Sequence, residues 1–340
     1  MSKRIIFCAD GTWDSDSTNT NVYRLYKALT TSAEQLPTYS DGVGADGNPI
    51  WRLIGGAFGM GLFKKIKDGY IKVAQAYEQG DSVYLFGFSR GAYTARSLAG
   101  MIGICGLPTT DFSDDVVDTA FDAYRQKDKR AELLLKLKDA SMYPADISMV
   151  GVWDTVGSLG IPAAIGDIDP ILYGFLDTSL NPKVRNAYQA LAIDECRAQF
   201  PPTLWSSAPV PGQTMEQVWF TGVHSDIGGG EPLDGSDKTA LSDLTLGWMM
   251  SKAAFLGLTF DADVYKTYTL PLQDALSLDQ LHSSWTVVNG IPKRRSIDKN
   301  AMISNSVVPR SQHDAAYRPE NLSFINGVLS ALYGAVSIVA

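Results

Sequence analysis

A serine hydroxyl attacks a carbonyl only when a base takes its proton. Ser89 stands in Gly87-Phe88-Ser89-Arg90-Gly91, and Asp154 and His224 follow in that order along the chain. Histidine titrates near neutrality, so it can accept the serine proton and then return it to a leaving group. A buried carboxylate fixes the imidazole tautomer and stabilises the imidazolium. The three residue types together suit ester hydrolysis through an acyl-enzyme on Ser89. The tetrahedral intermediate also needs hydrogen-bond donors for its oxyanion. One is expected from the backbone N–H of Arg90, the residue after the serine, and the second from the turn Gly11-Thr12. Loss of one such donor typically costs ~10²–10³ in rate.

The chain has only three histidines, which narrows the choice of base. His224 ends an apolar run and precedes Ser225-Asp226 and Gly228-Gly229-Gly230, a backbone-constrained loop. His282 lies in an undistinguished polar stretch. His313, in Gln312-His313-Asp314 near Arg310, is the reserve. Asp226 is too close in sequence to serve the His224 ring and is expected to hold the glycine loop by accepting backbone N–H groups. Each residue also has a plainer reading: an incidental serine in a strand-turn-helix, a turn-capping Asp154, a structural histidine.

The elements around these residues favour the chemical reading. Val83 to Phe88 is an apolar run, and small residues (Gly91, Ala92, Ala95, Ala99, Gly100) follow the serine. This is a buried strand turning sharply into a helix, the context of a nucleophile elbow. A side chain at Gly87 or Gly91 would collide with the neighbouring strand or helix. Ile5 to Ala9 reads as a strand running into the turn Asp10-Gly11-Thr12-Trp13-Asp14. Ile147 to Trp153 reads as a strand ending at Asp154, and Gln217 to Val223 as one ending at His224. In a parallel sheet such strand ends share one edge, where sites form.

Elsewhere, Asn21 is expected to cap a helix through Leu29, and Pro37 to Ser40 to form a strand. Residues 42–61 read as an apolar, glycine-rich loop, either over the site or as a packed connector. No Gly-Lys-Ser/Thr follows to make it a phosphate cradle. Helices are expected over Phe63–Glu78, twice within 113–141, and over Leu241–Leu256. Residues 157–212, aperiodic and rich in Pro, Gly and aromatics, read as an inserted cap, and 260–320 as irregular. The uncharged tail 321–340 has apolar residues at helical spacing (Leu322, Ile325, Leu329, Leu332, Val336, Val339), which predicts a docked or interfacial helix. Asn321, Ser323, Asn326, Ser330 and Ser337 interrupt it as a bilayer span. The expected fold class is α/β: one α/β-hydrolase-like domain over 1–340, with a mostly parallel central sheet flanked by helices and a cap. The chain order Ser…Asp…His is also that of α/β-hydrolases.

Composition narrows the function classes. With 45% hydrophobic and 19% charged residues the 340-residue chain is folded, not disordered. A net charge of −8 and the lack of any long basic run argue against nucleic acid as a partner. Lys64-Lys65-Ile66-Lys67 and Lys293-Arg294-Arg295 read as solvated surface, with contact to anionic headgroups as the second option. Cys8, Cys105 and Cys196 suit reduced thiols of a cytoplasmic protein. The apolar run at the start is too short for a signal peptide. A cytoplasmic location, or export without such a signal, is therefore expected. There is no His-x-x-x-His and the cysteines are isolated, so neither a metal nor a cofactor is expected. Asp10, Asp14 and Asp16 could gather at a cation, but loop carboxylates are usually solvated.

Taken together, these stretches resemble the domain of unknown function 2235 family, α/β-hydrolase-like proteins that include type VI secretion phospholipase effectors. The matching pieces are Asp10-Gly11-Thr12-Trp13 with Thr20-Asn21-Val22, Tyr39-Ser40-Asp41-Gly42-Val43-Gly44, and Gly56-Ala57-Phe58-Gly59-Met60-Gly61. They continue with Gly87 to Ala92, Val152 to Gly157, Trp219 to Gly230 and Tyr317 to Leu322. The resemblance spans nearly the whole chain in order. It implies an esterase acting on lipids, a phospholipase in the effectors, with the triad on Ser89, Asp154 and His224. A lipid or acyl-ester substrate and peripheral membrane contact follow from it. A general soluble esterase or thioesterase, or a hydrolase fold used only for binding, stay open.

Overall fold

Continuous apolar runs build strands that are covered on both faces, and the chain uses them to make one parallel sheet. In the computed structural model the strands are β1 (Arg4–Ala9), β2 (Gln35–Ser40), β3 (Ser82–Phe88), β4 (Ile147–Trp153), β5 (Asn186–Ala192), β6 (Thr214–Phe220), β7 (Met302–Ser304) and β8 (Gly334–Val336). Their order across the sheet is β8-β7-β6-β5-β4-β3-β1-β2, and every pairing is parallel. The structure describes residues 2–11, 18–42, 57–156, 178–231, 240–270, 281–283, 286, 289–325, 328–330 and 334–336.

Alternation along each strand sends side chains to two separate cores. Ile5, Phe7, Val83 and Leu85 face one layer, with α2 (Ala57–Ala76), α3 (Ser89–Cys105) and α4 (Asp114–Arg125) packed on it. Ile6, Cys8, Tyr84 and Phe86 face the other, with Val22 and Leu25 of α1 (Asn21–Ala28) and Trp248 and Met249 of a helix over Leu241–Phe255. Chain order reverses direction across the sheet at β1, which lies between β2 and β3. A crevice at the carboxyl ends beside such a point is where open α/β sheets place their ligands.

Several expectations need correcting. First, the expected cap over 157–212 contains a central strand: β5 lies between β4 and β6. Its middle residue Gln189 is fully buried, and the polar side chain disguised the run. The amide is satisfied internally, donating to Gln217 Oε1 at 3.1 Å and accepting the Thr155 hydroxyl at 2.5 Å. Residues 157–177 of the cap, like 43–56 of the glycine-rich loop, lie outside the described residues. Second, the described part of the tail is extended, not helical. Phe324–Ile325 pairs antiparallel with Val328–Leu329, and β8 forms a sheet edge on β7. Gly327, Gly334 and several β-branched residues weaken a helix there, whatever the apolar spacing. Third, Thr20 caps α1, its hydroxyl accepting from Tyr23 N–H. Asn21 is buried instead, donating to the Ile227 and Ser242 carbonyls and to Thr245 Oγ1. Helix α2 also begins within the stretch expected to be loop.

Candidate active site

Sheet register brings the strand ends level. Ala9 pairs with Gly87, Phe88 with Trp153, and Ala192 with Phe220. Ser89 and Asp154 therefore follow directly from paired residues on adjacent strands. Both take left-handed backbone, with φ of 56° at Ser89 and 39° at Asp154, a conformation that non-glycine residues adopt only where the surroundings over-determine it. Around Ser89 the backbones of β1, β3 and α3 pack closely. A Cβ on Gly91 would sit 2.1 Å from the Ala9 carbonyl oxygen and 2.4 Å from that of Asp10, and one on Gly87 would sit 2.4 Å from the Gly91 oxygen.

His224 opens a short helix, α5 (His224–Gly228), just past β6. Asp226 holds the start of that turn rather than the glycine loop, its Oδ2 accepting the Val223 N–H at 2.9 Å. From this position His224 Nδ1 lies 2.6 Å from Asp154 Oδ2 and Nε2 lies 2.8 Å from Ser89 Oγ. An ionised carboxylate can only accept, so Nδ1 carries the proton and Nε2 is left to accept from the serine hydroxyl. Phe88 and Phe200 flank the imidazole at 4.7 and 5.1 Å between ring centres. All three polar residues are buried.

The electrostatics follow from the neighbours. Burial alone would raise the Asp154 carboxyl. The Arg295 guanidinium and His224 more than offset that and hold it well below the usual carboxylate range. Burial pulls the His224 imidazole below its ordinary value against the opposing pull of Asp154, which leaves the ring neutral near pH 7. A neutral imidazole hydrogen-bonded to a serine is the state in which it can take a proton.

Other expected residues fare differently. The Gly11 N–H donates to Asp10 Oδ1 at 2.8 Å, so in this structure it is engaged by its neighbour's side chain. Asp10 also accepts from Thr20 Oγ1 and Tyr39 Oη, each at 2.6 Å. Thr12, Asp14 and Asp16 lie outside the described residues. Arg90 occupies the first turn of α3, where backbone N–H groups point out of the helix end. His282 is not the plain polar residue its surroundings suggested: its Nδ1 lies 2.5 Å from Asp226 Oδ1. His313 is exposed at the end of the helix Val307–His313. No group of three or more His, Cys, Asp or Glu among the described residues could hold a metal ion.

Sequence reasoning missed two residues beside the site. Arg295, read as part of a solvated basic run, is buried and reaches Asp154 with both terminal nitrogens, at 2.6 and 2.8 Å. Glu195, also buried, accepts the His224 backbone N–H at 3.3 Å and is gripped by Arg197. The spacing Glu195-x-Arg197 is a weak sign of the second pairing, and nothing local signals the first.

Residues 3–252, well over half of the chain, match the family model for the type VI secretion system phospholipase effector Tle1-like catalytic domain. The chain belongs to this family. An uncharacterized protein of Saccharomyces cerevisiae, YEL023C, is 31% identical over 187 residues, covering 47% of this chain and 27% of the yeast protein. A crystal structure of an uncharacterized protein from Pseudomonas aeruginosa is similar over 79% of this chain and 47% of that one, with 18% identity and a TM-score of 0.49. The structure of the Tle1 effector bound to the VgrG spike from the type 6 secretion system is similar over 69% of this chain and 52% of that one, with 18% identity and a TM-score of 0.41. The chain thus spans about a quarter of the yeast relative and about half of each bacterial structure. Among the described residues no helix is long and apolar enough to cross a membrane.

Proposed function

We propose that the protein is a serine hydrolase that cleaves acyl esters, phospholipids foremost, through an acyl-enzyme on Ser89. The observation that carries this reading is the continuous hydrogen-bonded chain Ser89–His224–Asp154 at the carboxyl edge of the sheet. Ser89 Oγ attacks the ester carbonyl as His224 Nε2 takes its proton, and Asp154 stabilises the imidazolium so formed. The Arg90 N–H is the donor whose position suits the oxyanion. A second donor from the Gly11-Thr12 turn requires either Thr12 or release of the Gly11 N–H from Asp10. Collapse of the tetrahedral adduct expels the alcohol, which leaves with the proton from His224. Water then attacks the acyl-enzyme by the same route and releases a carboxylate.

Membership in a family of phospholipase effectors supports a lipid substrate. Peripheral contact with a membrane surface follows from that substrate. The test compares hydrolysis of phospholipid vesicles with that of a short soluble ester, with fluorophosphonate labelling of Ser89 alongside. Vesicle hydrolysis that disappears in Ser89→Ala is expected. Turnover of the soluble ester alone would make the protein a general esterase. Labelling that persists in Ser89→Ala would remove Ser89 from the mechanism.

A further inference from the structure

Asp154 is completely buried and its carboxylate accepts four hydrogen bonds. One comes from His224 and one from the Ala192 backbone N–H at 3.0 Å. The other two come from a single guanidinium, with Arg295 Nη1 on Oδ1 and Nη2 on Oδ2. The same guanidinium is tied to the sheet edge through the Ala192 and Phe200 carbonyls, at 3.1 and 2.8 Å. A planar fork on both oxygens of a carboxylate fixes the plane of that carboxylate, and a lysine cannot reproduce it. The fork also places a full positive charge beside the group that is to stabilise the imidazolium. Arg295 lies outside residues 3–252, so the family match assigns it nothing.

The geometry points to Arg295 as a positioning residue of this site: it grips both oxygens of Asp154 and sets the orientation in which Asp154 meets His224. Beyond the burial of the ring, its charge also opposes protonation of His224. This rests on the hydrolase reading. The other charged groups around His224 do not supply this charge. Glu195, which faces it from the strand-end loop after β5 and is paired with Arg197, is anionic and pulls the imidazole the opposite way, and Ser89, Phe88 and Phe200 are uncharged. Behind the ring, Asp226 is paired with His282, and Asp194 accepts from Tyr317 and from the Gly222 N–H.

The test has two readouts on the full chain. The first is kcat/KM for a soluble ester against pH in wild type, Arg295→Met and Arg295→Lys. Arg295→Met is expected to move the acidic limb up by about 1 pH unit, as loss of a neighbouring charge does. Arg295→Lys, which keeps the charge and loses the fork, is expected to leave the limb in place and lower kcat by about tenfold. The second is NMR titration of the His224 ring in Ser89→Ala with and without Arg295→Met, which needs no turnover. The His224 midpoint should rise in the double variant. A folded Arg295→Met protein with limb and midpoint both unmoved overturns the proposal. If Arg295→Met does not fold, Arg295→Lys decides: wild-type kcat there overturns the grip. A wild-type protein that neither turns over ester nor labels at Ser89 would sink the hydrolase reading instead, and the titration would still judge Arg295.

Discussion

Replacing Asp154 by asparagine should damage stability as well as activity, because the carboxylate compensates a buried cation. Asp154 is the only carboxylate paired with Arg295 among the described residues, and Arg295 is itself buried. Asparagine keeps the size and removes the charge. The guanidinium is left with the Ala192 and Phe200 carbonyls and no counter-charge. Removing one partner of a buried ion pair costs about 3–5 kcal/mol. That is a large share of the ~5–15 kcal/mol that holds a typical domain folded. Urea denaturation should show the loss as a lower midpoint at unchanged slope. Adding Arg295→Met to Asp154→Asn removes the stranded cation, so the double variant should recover most of the lost stability. Activity should not recover, since loss of the carboxylate costs about 10⁴ in kcat through the imidazole tautomer. Strictly additive destabilisation across the cycle would refute the claim that the two charges compensate each other.

Further outcomes are expected. Gly91→Ala should destabilise by about 3 kcal/mol and abolish fluorophosphonate labelling, because its Cβ would meet the Ala9 and Asp10 backbone, which cannot swing aside as a side chain can; full labelling in a stable Gly91→Ala protein would contradict this. His224→Ala should abolish ester hydrolysis while His313→Ala retains most of it, and the reverse result would move the base to His313. Asp194 has its folded-state carboxyl raised by burial to about 6 from 3.8. The folded state therefore holds the extra proton between those values, and stability should fall as pH rises through that window. Asp194→Asn keeps acceptors for the Gly222 N–H and the Tyr317 hydroxyl, so thermal unfolding of that variant should lose this pH dependence; an unchanged slope would assign it to another group.

Features that a single element can announce were legible in the chain alone. The runs Ile5–Ala9, Val83–Phe88 and Ile147–Trp153 are, Ser148 apart, without polar side chains because a parallel strand covered on both faces leaves no solvent side to mark. Gly87 is required by close contact with the Gly91 backbone four residues on, whereas Gly91 answers to the Ala9 and Asp10 carbonyls at the end of β1, remote in the chain. Ser89 and Asp154 directly follow two of these runs and are likewise legible in the chain, whereas β6 ends at Phe220 and leaves His224 to open a separate short helix. Whatever depends on partners remote in the chain became visible only in the fold. Strand β5 was hidden because Gln189 looks polar until Gln217 and Thr155 satisfy it. The tail's apolar spacing fitted a helix, yet pairing with a short strand at 302–304 drew it into the sheet. Arg295 reads as a surface charge until the fold sets it against Asp154, 141 residues away. Periodicity records whether a residue is buried by its own element. It carries no record of which distant charge makes that burial tolerable.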